Sequence, residues 1–373
     1  MRGEGRHLYD DEGNAWLDLL SGIAVNSFGH CHPHLVEALD NQNRALWHVS
    51  NLFRIPEAER LAERLTQISF AERVFFANSG AEAAEACIKT MRRYQYEKGH
   101  ENRMRVLAFK SSFHGRTIAT IAASGNPAHT KGFLPDDGGF TQLRWGDLDA
   151  VRDAMSPEVA GIAVEVVRGE GGVTAASPEF LAGLREICDE TGALLMFDEV
   201  QCGIGRTGYN FAHQEYGIEP DVMALAKGLG GGFPIGACLT SGEVGDVMQP
   251  GSHGTTFGGN PLAMAVGNAV LDLLLEDGLL ANVKARGEQL RATLLSLAES
   301  FPDLFGEASG KGLMQGLVCK QDNAAFMAAC RQEHLVIGRA GGDMARFLPP
   351  LNITEQELEQ AHQALHRAAA RLV

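Results

Sequence analysis

The chain has 373 residues, of which 45% are hydrophobic and 21% charged, and its 44 Gly and 13 Pro are spread along its length. This composition is typical of a globular protein and excludes long intrinsic disorder. A formal net charge of −15 repels phosphate backbones and anionic membrane surfaces, so we expect no nucleic-acid partner and no membrane partner. The longest apolar runs are far below the roughly 20 residues that span a bilayer.

The start of the chain and its cysteines indicate the compartment. The first residues are polar and acidic and lack the cationic start and apolar core of a secretion signal, so we expect a cytoplasmic protein. The seven cysteines are scattered, odd in number and free of C-x-x-C pairs. This pattern argues against a disulfide framework and against a zinc ribbon.

The predicted elements begin with a β-hairpin at residues 7–19, where two apolar-alternating runs flank an Asp-Glu-Gly-Asn turn. Helical spacing of apolar residues follows from about residue 34 to residue 65. Helical stretches then alternate with continuous apolar runs at residues 74–77, 106–109, 162–167, 193–197 and 222–226. Continuous runs indicate strands buried on both faces, and the alternation with helices predicts an α/β fold with a mostly parallel sheet.

The last hundred residues have a different pattern. A helical stretch leads into a glycine-punctuated zone at residues 306–316, and a final helix starts at about residue 354. We therefore predict a large domain at residues 34–268 and a smaller α+β domain at residues 269–373. The N-terminal hairpin, residues 1–33, is assigned to the smaller domain.

Three of the apolar runs are followed by residues that could bind a ligand or take part in a reaction. Ligands bind beyond the carboxyl ends of parallel strands. After the first run, residues 78–85 form a tight turn that opens an Ala-rich helix, where Ser79 either binds an anion or simply caps the helix. Asp198 ends a buried run and needs a cationic or hydrogen-bonding partner. Lys227 follows another run and precedes a glycine-rich loop, a setting that lowers the pKa of an amine nucleophile.

Three loops add further polar and aromatic groups. The loop after the second run offers the aromatic face of Phe113 and the guanidinium of Arg116, and the loop after the third offers Glu170. A later glycine-rich loop offers the hydroxyls of Thr255 and Thr256. We expect all these groups to converge on one crevice.

Two weaker motifs could indicate other kinds of binding site. His30, His32 and His34 alternate like metal ligands, but Pro33 interrupts them and no acidic residue adjoins them, so we favour a turn or channel role and expect no metal. The glycines at residues 203–208 resemble a dinucleotide fingerprint, but they do not follow a suitable strand-to-helix turn.

A lysine nucleophile, a buried carboxylate, a phosphate-binding helix start and an aromatic face are used together in pyridoxal phosphate catalysis. The chain also closely resembles the class III (ω-amino) aminotransferases, and within them the acetylornithine branch. The resemblance extends over essentially the whole chain, in the segments 22–26, 29–33, 78–83, 112–117, 197–201, 205–208, 225–228 and 347–351. It implies the fold-type I architecture of pyridoxal phosphate-dependent transferases.

The resemblance also implies roles for the cofactor-binding residues. Lys227 would hold pyridoxal phosphate as a Schiff base and move the proton, and Asp198 would pair with the pyridinium nitrogen. Gln201 would contact the ring hydroxyl, while Val200 and Phe113 would pack on opposite faces of the ring. The phosphate would be held by three residues at the helix start: Ser79, Gly80 and Ala81.

Other implied contacts concern the partner subunit and the substrates. Thr256 of a neighbouring subunit would complete the phosphate site, which implies a homodimer with shared active sites, and Thr255 is a candidate substrate contact. Arg116 would bind a substrate carboxylate. Glu170 would pair with Arg346, and this pair would open to admit the second carboxylate of glutamate.

The implied reaction moves the terminal amino group of N2-acetyl-L-ornithine to 2-oxoglutarate, giving N-acetyl-L-glutamate 5-semialdehyde and L-glutamate in arginine biosynthesis. The alternatives are a related ω-aminotransferase acting on succinylornithine, ornithine, succinyldiaminopimelate or 4-aminobutyrate. An aminomutase, a decarboxylase and a non-catalytic binding protein are further alternatives, although the last would be expected to have lost Lys227 or Asp198.

Two departures from the family pattern bear on substrate choice. Family members usually carry about two dozen more residues before the point that matches Met1, and that segment helps line the substrate entrance. The family also usually reads Val-Glu-Pro-Ile-Gln-Gly-Glu at residues 164–170, where this chain has Val166 in place of the proline and Arg168 in place of the glutamine. We expect these changes to shift the loop that carries Glu170 or to give Glu170 another partner.

Overall fold

The computed structural model describes residues 1–134 and 136–373. The strands are β1 (Arg2–Glu4), β2 (His7–Tyr9), β3 (Ala15–Asp18), β4 (Arg73–Ala77), β5 (Arg105–Phe109), β6 (Phe140–Leu143), β7 (Val159–Glu165), β8 (Val167–Arg168), β9 (Thr174–Ala175), β10 (Leu194–Asp198), β11 (Val222–Leu225), β12 (Gly236–Thr240), β13 (Phe305–Lys311), β14 (Met314–Cys319), β15 (Leu335–Val336), β16 (Gly338–Ala340) and β17 (Met344–Phe347). The helices are α1 (Ser21–Ala24), α2 (Pro33–Asn43), α3 (Pro56–Gln67), α4 (Gly80–Glu97), α5 (Ile118–Ser124), α6 (Pro127–Thr130), α7 (Leu148–Ala154), α8 (Pro178–Thr191), α9 (Gly242–Gly245), α10 (Pro261–Leu274), α11 (Leu279–Ser300), α12 (Asn323–Gln332) and α13 (Glu355–Ala370).

A seven-stranded sheet in the order β4-β12-β11-β10-β7-β5-β6 forms the centre of the molecule. Only β12 runs antiparallel to its neighbours, so the prediction of a mostly parallel sheet is confirmed. The five predicted apolar runs correspond to β4, β5, β7, β10 and β11, whereas β6 and β12 were not predicted.

One predicted strand is wrong in its length. The run at residues 162–167 was expected to be continuous, but β7 ends at Glu165 and Val167 begins the separate strand β8. The Glu165 carboxylate accepts a hydrogen bond from the backbone N–H of Gly169, which fixes the turn in the chain after β7.

Helices cover both faces of the sheet, as the continuous apolar runs require. Along β10, Leu195 and Phe197 pack in the same cluster as residues of α8, while Met196 packs in a cluster with residues of α4. This alternation follows from the two-residue period of a strand. Every residue of β10 is buried, so the polar Asp198 at its end lies in an interior environment.

A second sheet, β13-β14-β17-β16, belongs to the C-terminal part of the chain. The predicted hairpin is present as β2 and β3, and β3 pairs in parallel with β15, joining Leu17 to Leu335. The ion pair between Arg6 and Glu357 adds a second link between the two ends of the chain. Helix α10 is continuous across the predicted boundary at residues 268 and 269, and the domain division remains a prediction.

The short element α1 has an unusual backbone. The φ angles of Ser21, Gly22, Ile23 and Ala24 are all positive, at 51°, 62°, 69° and 61°, so the segment is a left-handed turn. A left-handed conformation is strained for residues other than glycine, and most of all for a β-branched residue such as Ile23. The side chain of Asp18 stabilises the turn by accepting hydrogen bonds from the backbone N–H groups that open it.

Within the described parts of the chain, no helix combines the length and the apolar character needed to cross a membrane.

Candidate active site

A cavity of about 460 Å³ lies beyond the carboxyl ends of the parallel strands. Its walls come from the start of α4 and from the segments that follow β5, β10 and β11. The cavity brings together the following predicted site residues: Ser79, Gly80, Ala81, Phe113, Arg116, Asp198, Val200, Gln201 and Lys227. The predicted convergence on one crevice is therefore present for these residues.

Lys227 lies just after β11 and begins a short 3-10 turn, Lys227–Gly230, with a φ of 42°. Burial, followed by repulsion from Arg346, lowers the pKa of Lys227 to about 8. A buried amine with this pKa is present as the neutral nucleophile to a much larger extent than an exposed lysine at the same pH. This electrostatic environment suits an amine that forms a covalent bond.

Asp198 is the last residue of β10 and is 4% exposed. Its Oδ1 accepts a hydrogen bond from the backbone N–H of Val200 at 3.0 Å, and its Oδ2 lies 2.7 Å from Nδ1 of His114. Burial alone would lower the pKa of His114, but the hydrogen bond and charge of Asp198 outweigh burial and raise the pKa. The carboxylate thus has a partner on each oxygen, as a buried charge requires.

Glu165 is a second buried carboxyl next to this pair. It ends β7 and is the register partner of Asp198 across the β7–β10 ladder. Burial raises the pKa of Glu165 to about 7. Its oxygens accept hydrogen bonds from the backbone N–H groups of Phe113 and Gly169, at 3.2 and 3.0 Å.

No role for His114 or Glu165 was predicted from the sequence, although both lie in segments that resemble the family. The available signal for Glu165 was a carboxylate that interrupts the apolar run at residues 162–167, where a buried charge needs a partner. No signal in the sequence indicated that His114 contacts Asp198, because that contact depends on the order of strands in the sheet.

The start of α4 forms one wall of the cavity. The Ser79 hydroxyl oxygen accepts a hydrogen bond from the backbone N–H of Glu82 at 3.3 Å, so the capping role of Ser79 is present. Gly80 is held close to the opposite wall, because a Cβ at this position would lie 2.8 Å from Cγ1 of Val200. The unpaired first-turn N–H groups of a helix favour an anion here.

A wider chamber of about 990 Å³ adjoins the cavity and shares Phe113 and Arg116 with it. In this chamber Nη1 of Arg346 lies 2.6 Å from Oε1 of Glu170, so the predicted pair is present in the structure. The guanidinium of Arg116 lies 5.6 Å from the ring centre of Phe113 and faces solvent. The chamber therefore contains the two arginines expected to bind substrate carboxylates.

Arg168 does not divert Glu170 from Arg346. Its guanidinium stacks on the ring of Trp145, with the guanidinium carbon 4.2 Å from the ring centre. The expectation that Arg168 gives Glu170 another partner is therefore wrong for the state seen in the structure. The aromatic ring stabilises the cation without a carboxylate.

The structure places two predicted residues outside the cavity of their own chain. The Thr255 hydroxyl oxygen accepts hydrogen bonds from the Asn78 side chain and the backbone N–H of Gly258. Thr256 is exposed. A role for either residue in a cavity would have to involve another subunit or a rearranged loop.

Two of the three alternating histidines pair with different carboxylates, and Nδ1 of His32 is buried without a hydrogen-bond partner among the described residues. His30 contacts Asp18 at 2.8 Å, and His34 contacts Asp272 at 2.9 Å. His32 directly precedes helix α2. The contacts of His30 and His34 therefore connect separate segments of the fold.

Comparison with known proteins identifies the family. The sequence pattern of the Aminotransferase class-III family matches residues 1–369. An acetylornithine aminotransferase of Brucella melitensis biotype 1 is 51% identical over 371 residues, covering 100% of this chain and 92% of that protein. An acetylornithine aminotransferase of Mesorhizobium japonicum is 52% identical over 368 residues, covering 99% of this chain and 92% of that protein.

Solved structures support the same family. The N-acetylornithine aminotransferase of Stenotrophomonas maltophilia K279a has a TM-score of 0.87 at 38% identity, covering 100% of this chain and 95% of that one. An ornithine aminotransferase of Toxoplasma gondii ME49 has a TM-score of 0.96 at 31% identity, covering 100% of this chain and 90% of that one. A second structure of the Toxoplasma gondii enzyme has partial occupancy of pyridoxal phosphate at its active site.

The chain belongs to the class-III aminotransferases. It is a pyridoxal phosphate-dependent transaminase, and the predicted fold-type I architecture is confirmed. The residues of the cavity fit this cofactor. An amine with a lowered pKa, a buried carboxylate and the start of a helix meet in one cavity, and Gly80 leaves the space that a Cβ would occupy.

Proposed function

We propose that this protein transfers the terminal amino group of N2-acetyl-L-ornithine to 2-oxoglutarate. The products are N-acetyl-L-glutamate 5-semialdehyde and L-glutamate, and the reaction belongs to arginine biosynthesis. The observation that carries the proposal is the Glu170–Arg346 pair in a chamber that also contains Arg116. The acetylornithine aminotransferases at about 50% identity over their full matched length support the same substrate.

Pyridoxal phosphate, when bound, supplies an electron sink for the carbon that carries the amino group. We assign Lys227 to hold the cofactor and to move the proton at its Nζ atom. An amine with a pKa of about 8 can both accept and release a proton near neutral pH. Asp198 would hold the proton of the pyridine nitrogen, because an ionised carboxylate is the buried partner that a pyridinium requires.

The remaining cofactor contacts are assigned by position around the cavity. Val200 and Phe113 would pack on the two faces of the ring, and Gln201 would contact the ring hydroxyl. The phosphate would be held by the residues at the start of α4: Ser79, Gly80 and Ala81. The helix dipole and the free N–H groups of the first turn stabilise an anion at this end.

The two substrates differ in charge, and the chamber can accommodate both patterns. Arg116 would bind the carboxylate that acetylornithine and glutamate have in common. With acetylornithine, Glu170 neutralises Arg346, since this substrate has a single carboxylate and no second one at the carbon that carries the transferred amino group. With glutamate, the second carboxylate replaces Glu170 on Arg346, and the exchange keeps a buried guanidinium paired throughout.

We further propose a homodimer with shared active sites. Large apolar side chains that are more than half exposed in the single chain include Trp47, Leu52, Phe53 and Phe257. The ring of His48, next to Trp47, lies 5.4 Å from that of Phe257. Large apolar groups clustered on the surface are typical of an interface between subunits. Thr256 is adjacent to Phe257 in sequence, so the same surface could deliver its hydroxyl to a partner's phosphate site.

We also propose a cytoplasmic location. All seven cysteines are free, and six of them are buried. Unpaired cysteines are typical of proteins that work in a reducing compartment.

The substrate proposal is tested by single-turnover reactions of the cofactor-loaded protein with a panel of amino donors. We expect acetylornithine and glutamate to convert the cofactor to its aminated form faster than succinylornithine, ornithine, succinyldiaminopimelate or 4-aminobutyrate. A faster reaction with one of those four donors would assign the protein to that substrate. Conversion of a donor to its isomer or to carbon dioxide without 2-oxoglutarate would indicate an aminomutase or a decarboxylase.

A further inference from the structure

The chamber next to the cavity holds an excess of positive charge. It contains four guanidinium groups, Arg116, Arg168, Arg339 and Arg346, and the carboxylate of Glu170. Within residues 1–134 and 136–373, Arg346 is the one arginine of these four that forms an ion pair. This concentration of cations contrasts with the net charge of −15 of the whole chain.

Arg168 is held in place but lacks an anionic partner among the described residues. It ends β8 and pairs in register with Thr174 of β9. Its guanidinium stacks on Trp145, and its Nε is buried without a hydrogen-bond partner. Burial lowers the pKa of Arg168, so its charge would be stabilised by any carboxylate that came within reach.

The two members of the Glu170–Arg346 pair differ in their freedom to move. The Arg346 side chain is 3% exposed and extends from β17, which is hydrogen-bonded on both sides to β14 and β16. The Glu170 side chain is 39% exposed, although its backbone oxygen is held by the N–H of Gly341. When the pair opens, the Glu170 side chain is therefore the part that moves.

A displaced Glu170 carboxylate needs a new partner, since an unpaired charge in a half-buried chamber is costly. Arg168 is two residues away along the chain, and its side chain lines the same chamber. Among the four guanidinium groups, Arg116 and Arg346 already have carboxylates to bind in the proposed function.

We propose that Arg168 is a positioning residue that receives the Glu170 carboxylate when a substrate carboxylate takes its place on Arg346. The inference rests on the proposed function and adds a second ion-pair partner for Glu170. No covalent bond changes: one carboxylate leaves Arg346, another arrives, and the first pairs with Arg168. Arg346 and Glu170 are each paired both before and after the exchange, and Arg168 gains an anionic partner, which makes the opening cheaper than it would be with an uncharged residue at position 168.

The closest test replaces Arg168 by glutamine, the residue that the resembled family usually has at this position. In Arg168→Gln, we expect the second-order rate constant of the glutamate half-reaction, measured in single turnovers, to fall about tenfold. The loss should come from weaker apparent binding of glutamate. The acetylornithine reaction should change less than twofold, because Glu170 stays on Arg346 in that step. Arg168→Lys keeps the charge and should restore the glutamate reaction to within about threefold of the original.

Arg339→Gln is the matched control, because Arg339 lines the same chamber and likewise forms no ion pair with any residue that the structure describes. It should leave the ratio of the two half-reactions unchanged. Thermal unfolding of each variant with the cofactor bound separates a general loss of stability from the selective effect. Equal losses in both half-reactions for Arg168→Gln, or no loss at all, would overturn the proposal.

A double mutant separates the proposed role from direct contact between Arg168 and the substrate. In a Glu170→Ala background there is no carboxylate to receive, so Arg168→Gln should then have no further effect on the glutamate reaction. A persistent tenfold loss in that background would show that Arg168 binds the substrate itself and would refute the inference. Failure of the proposed function looks different, because the unmodified protein would then not react with acetylornithine.

Discussion

Lys227 and Asp198 are the two residues on which the chemistry depends most directly. In Lys227→Ala we expect no measurable transamination and no visible absorbance band from a cofactor bound through the lysine, because the covalent link is gone. The fold should be retained, since Lys227 makes no side-chain hydrogen bond or ion pair among the described residues. Activity assays and absorbance spectra test this, with Lys110→Ala as an exposed-lysine control. Full activity in Lys227→Ala would contradict the assignment.

Replacing Asp198 by asparagine preserves shape and removes the charge. We expect the rate of the acetylornithine half-reaction to fall by a factor of about 100 or more, because a neutral amide does not stabilise a pyridinium proton. The variant should still bind the cofactor, because Lys227 and the start of α4 are unchanged. Single-turnover kinetics provide the measurement. A loss of less than about tenfold, or 1.4 kcal/mol, would show that the assigned role is wrong.

Glu165 makes stability depend on pH in a predictable direction. Burial raises its pKa from 4.5 to about 7, so the folded protein retains a proton that the unfolded chain releases. The stabilisation is complete below pH 4.5 and is lost as the pH rises to 7, by about 3 kcal/mol in total. Between pH 5 and pH 8, Glu165→Gln should therefore gain unfolding free energy relative to the original protein.

The comparison is made by denaturant unfolding at both pH values and at one protein concentration. Glu219→Gln changes an exposed carboxyl and should show no such difference between the two pH values. If the unfolding free energies of Glu165→Gln and the original protein differed by the same amount at pH 5 and at pH 8, the proposed pKa shift of Glu165 would be wrong.

At the residue scale, the sequence identified the groups that follow a buried strand directly. Lys227 and Asp198 were found because each comes after a continuous apolar run, a local signal. His114 was not recognised as the partner of Asp198, although the two are 2.7 Å apart, since this contact joins segments separated by 84 residues. Local patterns carry no information about which strand lies next to which.

Among the elements, the left-handed turn α1 stores strain next to the chamber, which Ile23 helps to line. Ile23→Gly should raise the unfolding free energy by an amount on the order of 1 kcal/mol, because glycine adopts positive φ without a steric penalty. Val25→Gly is the matched control. The φ of Val25 is −92°, so glycine there should destabilise the protein.

Thermal unfolding of both variants measures the difference. A lower midpoint for Ile23→Gly would mean that packing of the isoleucine outweighs its backbone strain.

Element by element, prediction from the sequence depended on how each strand is buried. Strands β5, β10 and β11 were recognised from continuous apolar runs because both of their faces are buried, whereas β4 has a continuous apolar run although it is only partly buried in the single chain. Strand β12 is fully buried too, but it reads Gly-Ala-Cys-Leu-Thr after a glycine-rich loop, so its apolar run is only three residues long. The end of β7 was missed because the apolar run continues past the turn at Glu165.

For the whole molecule, the proposed sharing of active sites gives a complementation test. Lys227→Ala should be inactive, and Thr256→Glu should bind cofactor weakly because its added carboxylate repels a phosphate in the partner's site. After the two variants are mixed and allowed to exchange subunits, one of the two sites in each mixed dimer has both original residues. We expect activity to return in the mixture.

The readout is activity of the mixture relative to each variant alone, with sedimentation confirming the dimer. Trp47→Glu should weaken subunit association by placing a charge in the proposed interface. Absence of any recovery in freely exchanging dimers would show that each site is built from a single chain. The resemblance to the family predicted this sharing, whereas the residues themselves did not, since Thr256 carries no local mark of a partner.

At this scale the fold class followed from the alternation of strands and helices, but the architecture of the site did not. Arg346 joins Glu170 across 176 residues of sequence, and only the family resemblance indicated that pair. Strand order and the packing of the C-terminal sheet against the large one depend on the whole chain at once.

The parallel pairing of β3 with β15 has a consequence for biosynthesis. Residues 15–18 leave the ribosome long before their partner strand at residues 335–336, which lies more than 300 residues further along the chain. At ordinary translation rates the interval is on the order of half a minute. The backbone N–H groups of Leu348 and Leu351 also donate hydrogen bonds to the carbonyl oxygens of Leu19 and Ser27. These bonds cannot form until residues 348–351 have been made. The nascent chain therefore carries an unpaired edge of this sheet until residues 335–336 have been made, and a chaperone that shields β1 to β3 should raise the yield of folded enzyme.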